Sequence, residues 1–114
     1  MRWWLVLLAC AACKKEAAPA PAELPVMPAA EAKRGQDACK AYVEKVCACA
    51  ETMPALKQPC GLARALPEAI DVGLSVSANP ESTRRDVVQA NDSVRKVVKA
   101  CIEETAKLPS AGCP

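Results

Sequence analysis

Cysteine is the residue type with the greatest capacity for chemistry in this sequence. The chain of 114 residues contains eight cysteines, and a thiolate can ligate a soft metal or exchange disulfides. Cys10 and Cys13 lie close to the N-terminus. The others are spread over the remainder of the chain: Cys39, Cys47, Cys49, Cys60, Cys101 and Cys113. The two groups need separate explanations, because they lie in segments of different composition.

The closely spaced cysteines Cys47 and Cys49 are the strongest candidates for a metal or redox site. A strong zinc site would show two Cys-x-x-Cys pairs, and the sequence does not contain two. On a helix, side chains two positions apart are separated by about 200° around the helix axis, so the two sulfurs cannot both reach one ion. The pattern therefore favours structural disulfides over metal binding or redox exchange, and we predict no metal site.

Histidine is absent, and the charges nearly balance. The absence of histidine excludes His-based catalytic triads and His-containing zinc sites. With 15 Lys and Arg against 13 Asp and Glu, the chain lacks the basic excess that is typical of nucleic-acid binding. No arrangement for general acid–base catalysis is recognisable. We predict that the protein is not an enzyme, needs no cofactor and binds no nucleic acid.

Residues 1–12 have the features of a signal peptide. Arg2 supplies a positive charge, and residues 3–12 are apolar and uncharged. This stretch is too short to cross a bilayer, which takes about 20 helical residues, but it suits a signal peptide. Small residues and a cysteine follow. Here the sequence resembles bacterial lipoprotein precursors, in which a cysteine after small residues carries the lipid. An ordinary secretory signal cleaved after small residues is the alternative.

The resemblance offers two cysteines for lipid attachment. Cys13 follows two alanines, gives the longer hydrophobic region and leaves six further cysteines, an even number for an oxidising compartment. Cys10 has the better apolar residue, Leu7, three positions before it, but leaves seven cysteines. Cys13 is therefore the predicted lipidation site, with Cys10 as the alternative.

Residues 13–35 are predicted to be a disordered linker that begins at the lipidated cysteine, with residues 31–34 as an alternative beginning of helix. The segment is rich in alanine and in prolines that disfavour helix: Pro19, Pro21, Pro25 and Pro28. At about 3.1 Å per residue, residues 17–28 alone could span roughly 35 Å. The sequence thus predicts a domain tethered to a membrane of the cell envelope, either the outer membrane or a periplasm-facing membrane surface.

Residues 36–114 are predicted to form a small all-α domain, a disulfide-braced three-helix bundle. The first helix spans about residues 37–52 and ends before Pro54. The second lies within residues 55–78, where residues 58–61 read as a turn, Pro67 as a helix start, and Leu62 as part of the apolar face. Residues 70–76 also alternate as a strand would, but no partner strand exists in the sequence, so helix is favoured.

The third helix has the clearest pattern. Asn79 and Pro80 suit its first positions, and Pro109 and Gly112 its end. Apolar residues repeat every seven positions along it, at Val87, Val94, Cys101 and Leu108. Short connections favour antiparallel neighbours, and hence an up-down-up bundle with the first and third helices parallel.

This topology suggests a disulfide pattern. The end of the first helix meets the start of the second, so Cys47 or Cys49 is expected to pair with Cys60. Cys101 would then pair with the other member of the Cys47 and Cys49 pair. Cys39 and Cys113 are left as the third pair, which no geometric argument requires.

The remaining polar and aromatic residues point to structure or binding. Tyr42 lies on an apolar face and is expected in the core. A solvated helix face is the expectation for the basic residues of the third helix, with contact to anionic lipid or another envelope polyanion as the alternative: Arg84, Arg85, Arg95, Lys96 and Lys99. We expect a membrane-tethered interaction or structural module with an envelope protein partner. The alternative is an envelope module that binds a small ligand or a metal.

Overall fold

The computed structural model describes residues 25–114, and this part of the chain is helical apart from short connections. Its four α-helices are α1 (Ala29–Ala50), α2 (Lys57–Ala63), α3 (Leu66–Ala78) and α4 (Arg84–Lys107), with 3₁₀ turns at Pro54–Leu56 and Pro109–Ala111. The all-α, disulfide-braced bundle is confirmed, with α2 and α3 together in the place of the second helix. The predicted signal peptide, both candidate lipidation cysteines and the linker up to residue 24 lie outside the described residues.

Helix α1 begins earlier than predicted. It starts at Ala29, immediately after Pro28, so the predicted linker boundary at residue 35 and the helix start near residue 37 are wrong. Alanine, glutamate, lysine and arginine dominate the first six positions of α1, and all four favour helix. The prolines that indicated a linker end at Pro28, and beyond them nothing opposes helix formation.

Residues 25–28 form a strap that lies on the bundle. The Met27 side chain is buried in the core. The Met27 backbone N–H donates a hydrogen bond to Ser77 Oγ in α3 at 3.3 Å. The Asn91 side-chain amide, in α4, donates to the Pro25 carbonyl at 2.6 Å. The folded domain therefore includes part of the predicted linker, from Pro25 onward.

The predicted second helix is interrupted. Residues 58–61 are not a turn, as predicted, but part of α2, where Pro59 is tolerated because it falls in the first helical turn. Pro67 lies at the start of α3, as predicted. Since Pro67 has no N–H to bond the Ala63 carbonyl, a continuous helix cannot form across residues 64–66. The strand alternative for residues 70–76 is wrong, because they lie within α3.

Helix α4 is capped at a different residue than predicted. Thr83 is its N-cap: Thr83 Oγ1 accepts from the Asp86 N–H at 3.1 Å, and Asp86 Oδ2 accepts from the Thr83 N–H at 3.0 Å. Asn79 instead accepts a hydrogen bond from the Glu81 N–H and stabilises the preceding turn. The predicted seven-residue repeat of α4 is buried throughout: Val87, Val94, Cys101 and Leu108. The helix ends before Pro109, and Gly112 takes a positive φ of 91°, as the predicted stop requires.

Helix α4 packs between α1 and α3. Its contacts with α1 advance together along both chains, from Glu31 with Arg95 to Cys39 with Cys101, so the two helices are parallel. Glycines allow the close approach: a Cβ on Gly35 would lie 2.6 Å from Val98 Cγ2, and one on Gly73 would lie 2.5 Å from Val94 Cγ2. No helix among residues 25–114 is long and apolar enough to cross a membrane.

Candidate functional site

The six domain cysteines form three disulfides. Cys47 pairs with Cys60, one of the two expected alternatives. The other expected pairs are wrong, because Cys101 bonds Cys39 and Cys113 bonds Cys49. Because α1 begins early, Cys39 lies in the middle of this helix and beside Cys101, in the last two turns of α4. The chain that leaves α4 then reaches the C-terminal end of α1, where Cys49 lies.

These bonds determine what the sulfurs can do. Cys47 and Cys49 point to different partners, as their spacing on a helix requires. Cys39, Cys101 and Cys113 are fully buried. All six sulfurs are therefore committed to covalent bonds within the bundle. Within residues 25–114 no group of three His, Cys, Asp or Glu side chains is placed to hold a metal ion.

One apolar groove runs along the seam between α1 and α4, beside the strap. We call it the strap groove; its volume is about 270 Å³. Its lining combines aliphatic and charged side chains: Met27, Glu31, Val94, Arg95, Val98, Lys99 and Ile102. Ile102 is 57% exposed. Neither the groove nor the role of Met27 was foreseen from the sequence, although two apolar residues between Pro25 and Pro28 were a signal for it.

An ion pair between two helices closes the rim of the strap groove. Arg95 Nε and Nη2 donate to the two carboxylate oxygens of Glu31 at 2.7 and 3.2 Å. This bond to Arg95 lowers the pKa of the Glu31 carboxyl, and the carboxylate in turn raises the pKa of Arg95. A two-point arginine–carboxylate contact fixes geometry better than a single bond, so it holds the N-terminal turns of α1 against α4.

A second apolar groove lies between α2, α3 and the α1–α4 pair. We call it the Leu62 groove; its volume is about 330 Å³. It is lined mainly by apolar side chains: Tyr42, Pro59, Leu62, Ala63, Leu66, Ala100 and Glu104. Leu62 was predicted to face the core, but its side chain is 68% exposed. The break before α3 frees α2 from the orientation that a continuous helix would have imposed.

Tyr42 forms the buried floor of the Leu62 groove, so its predicted place in the core is confirmed. Burial raises the pKa of the Tyr42 phenol, and the nearby Glu104 carboxylate adds to this effect. Lys107 donates a hydrogen bond to Glu104 at 3.0 Å, which raises the pKa of Lys107. The groove thus combines an apolar interior with a charged edge, the usual composition of a binding site.

The predicted basic residues of α4 are all exposed. Arg95 is joined to Glu31 of α1, and Lys99 lies 3.8 Å from Glu103 on its own helix.

Comparison with known protein families, curated proteins and solved structures finds no match for this chain.

Proposed function

We propose that this chain is a lipid-anchored protein of the bacterial cell envelope whose helical domain binds an envelope protein and carries out no catalysis. The N-terminal pattern supports the anchor, through the apolar residues 3–12 followed by Cys13. Three disulfides within the 90 residues that the structure describes support a location in an oxidising compartment. The Leu62 groove supports the binding role and is the partner site in this proposal.

The rigid presentation of Leu62 is the observation that carries the binding role. Leu62 is the most exposed large apolar side chain of residues 25–114. Two positions before it, Cys60 is bonded to Cys47 of α1, and immediately after it Ala63 is buried. An apolar side chain that is held in place and exposed loses little freedom on binding, which is what an interface anchor needs.

Site-specific photocrosslinking in intact cells tests this role. A photoreactive residue replaces Leu62 in one variant and Val72 in the control, since Val72 is also an exposed aliphatic residue on a helix, at 59%. We expect one discrete crosslinked species from position 62, and loss of that species when Leu66→Asp is added to the same chain. Equal crosslinking from both positions, or none from position 62, would contradict the proposal. A rise in thermal stability with a small molecule and no crosslink would instead favour a ligand-binding module.

A further inference from the structure

Exposed apolar side chains collect on one face of the domain. The face consists of the strap residue Val26 and one stripe of α4, and we call it the basic–aliphatic face. On α4 its members recur at steps of three, four and seven residues and so share one side of the helix: Arg84, Val88, Arg95, Lys99 and Ile102. Of the five large apolar side chains exposed in residues 25–114, this face holds three: Val26, Val88 and Ile102.

The charges of the bundle are distributed unevenly. Helix α4 carries six basic and four acidic residues, whereas α3 carries two acidic residues and no basic one. The acidic groups at the basic–aliphatic face are Asp92, Glu31, which Arg95 neutralises, and Glu103 beside Lys99. Arg85 and Lys96 lie on the same edge of α4 as Glu103, so the face and its edge carry five basic residues against three acidic ones. Lysine and arginine between exposed aliphatic side chains are typical of surfaces that lie on anionic membranes.

The same face is where the N-terminal segment joins the fold. Pro25 is hydrogen-bonded to Asn91 of α4, and Met27 lines the strap groove beside Ile102. Val26, between these two attached residues, is 54% exposed. Pro25, the first residue that the structure describes, therefore lies on this side of the domain. Eleven residues lie between Cys13 and Pro25, a reach of about 40 Å when extended, so a lipid on Cys13 keeps this face near the bilayer.

We propose that the basic–aliphatic face rests on the anionic phospholipid surface of the membrane that holds the anchor. This inference rests on the proposed lipid anchor. Anchoring makes the contact intramolecular, and a contact too weak to bind a free protein is then sufficient. Leu62 lies away from this face: the groove residue Ala100 and the face residue Ile102 are two positions apart on α4, about 200° around the helix. Contact with the bilayer therefore leaves the Leu62 groove open to a partner.

Tryptophan fluorescence in brominated vesicles tests the contact. The full chain is extracted from membranes and reconstituted into vesicles of phosphatidylcholine alone or of phosphatidylcholine with phosphatidylglycerol. Ile102→Trp reports on the face, and Leu62→Trp is the matched control, since both are exposed aliphatic residues on helices. Trp3 and Trp4 belong to the predicted signal peptide, so the mature protein has no tryptophan of its own and each variant carries a single reporter. We expect bromine on the acyl chains to quench Ile102→Trp in anionic vesicles and to leave Leu62→Trp unquenched.

Charge variants and flotation complete the test. Adding Lys99→Glu to Ile102→Trp is expected to reduce the membrane-contacting population about fivefold or more, whereas Arg64→Glu, immediately after α2, is expected to leave it unchanged. Equal quenching at both positions overturns the proposal. Unquenched emission from Ile102→Trp in anionic vesicles also overturns the proposal, and this includes the case in which a protein partner or a second copy covers position 102. Flotation with neutral vesicles reports on the anchor separately, so a protein that floats without quenching at position 102 refutes the contact alone.

Discussion

The disulfide between Cys39 of α1 and Cys101 of α4 joins two fully buried residues and sets these parallel helices in register. On one side of this bond the register brings Glu31 to Arg95, and on the other it brings Cys113 to Cys49. The strap groove and the floor of the Leu62 groove both depend on this alignment, because α1 and α4 supply residues to each.

Loss of this bond should destabilise the domain more than loss of the shorter bridge. Cys39 and Cys101 are 62 residues apart, and Cys47 and Cys60 are 13 apart. A longer closed loop restricts the unfolded chain more, so replacing the first pair by alanine should lower the free energy of unfolding by about 4 kcal/mol, and replacing the second by about 3 kcal/mol. Urea unfolding of the two double variants measures this. A larger loss from the Cys47–Cys60 pair would contradict it.

The close approach at Gly35 predicts a specific packing defect. Gly35→Ala would place a Cβ 2.6 Å from Val98 Cγ2, and such overpacking costs about 1–3 kcal/mol. The double variant with Val98→Ala should recover part of this loss through a favourable coupling energy. Gly61→Ala is the control, because a Cβ there meets nothing within 4 Å and Ala favours helix, so it should stabilise by about 0.5–1 kcal/mol. Additive effects at Gly35 and Val98 would show that the helices are not in contact there.

The strap should be held by its hydrogen bond to α3. Ser77→Ala removes the acceptor of the Met27 N–H, a loss of about 1 kcal/mol for one buried hydrogen bond. Hydrogen exchange should show faster exchange at the Met27 amide, with the middle of α4 as the unaffected reference. Ser75→Ala is the matched control, since Ser75 Oγ bonds only the Asp71 carbonyl of its own helix. Unchanged Met27 exchange in Ser77→Ala would mean that the strap is not bound as described.

Stability should fall in acid through two carboxylates. Arg95 lowers the pKa of Glu31, and the Thr83 N–H and hydroxyl lower that of Asp86. A carboxyl whose pKa is depressed on folding adds stability above its unfolded pKa, near 4, and loses it as the pH falls through the folded value. The melting temperature should therefore be nearly constant from neutral pH to about pH 5 and then decrease. In the Glu31→Gln, Asp86→Asn double variant this acid decrease should be shallower; an identical profile would contradict the assignment.

Local patterns in the sequence predicted the helices well, because they depend on neighbours within one turn or two. The repeat from Val87 to Leu108 identified the buried face of α4, and Pro67 marked the start of α3. The N-cap of α4 was misplaced because Asn79 and Thr83 both have side chains suited to capping. Only the reciprocal bonds of Thr83 with Asp86 distinguish them.

Features that depend on distant residues were not predictable in the same way. The disulfide partners follow from the register of α1 against α4, and that register shifts by several turns when α1 begins at Ala29. Proline content concealed this start, and it also concealed the strap around Met27. The exposure of Leu62 depends on the direction that α2 takes after the break before Pro67, which no periodic pattern specifies.

The intact mass of the protein extracted from membranes tests whether the disulfide-braced domain carries a lipid anchor, as we propose. The mass is measured before and after reduction with alkylation. We expect the mass of residues 13–114 plus a diacylglyceryl and an acyl group, with six cysteines that react only after reduction. A mass that fits lipid on Cys10 would move the anchor to the alternative site. A mass without lipid would contradict the proposed anchor, and domain cysteines that are alkylated before reduction would contradict the three disulfides.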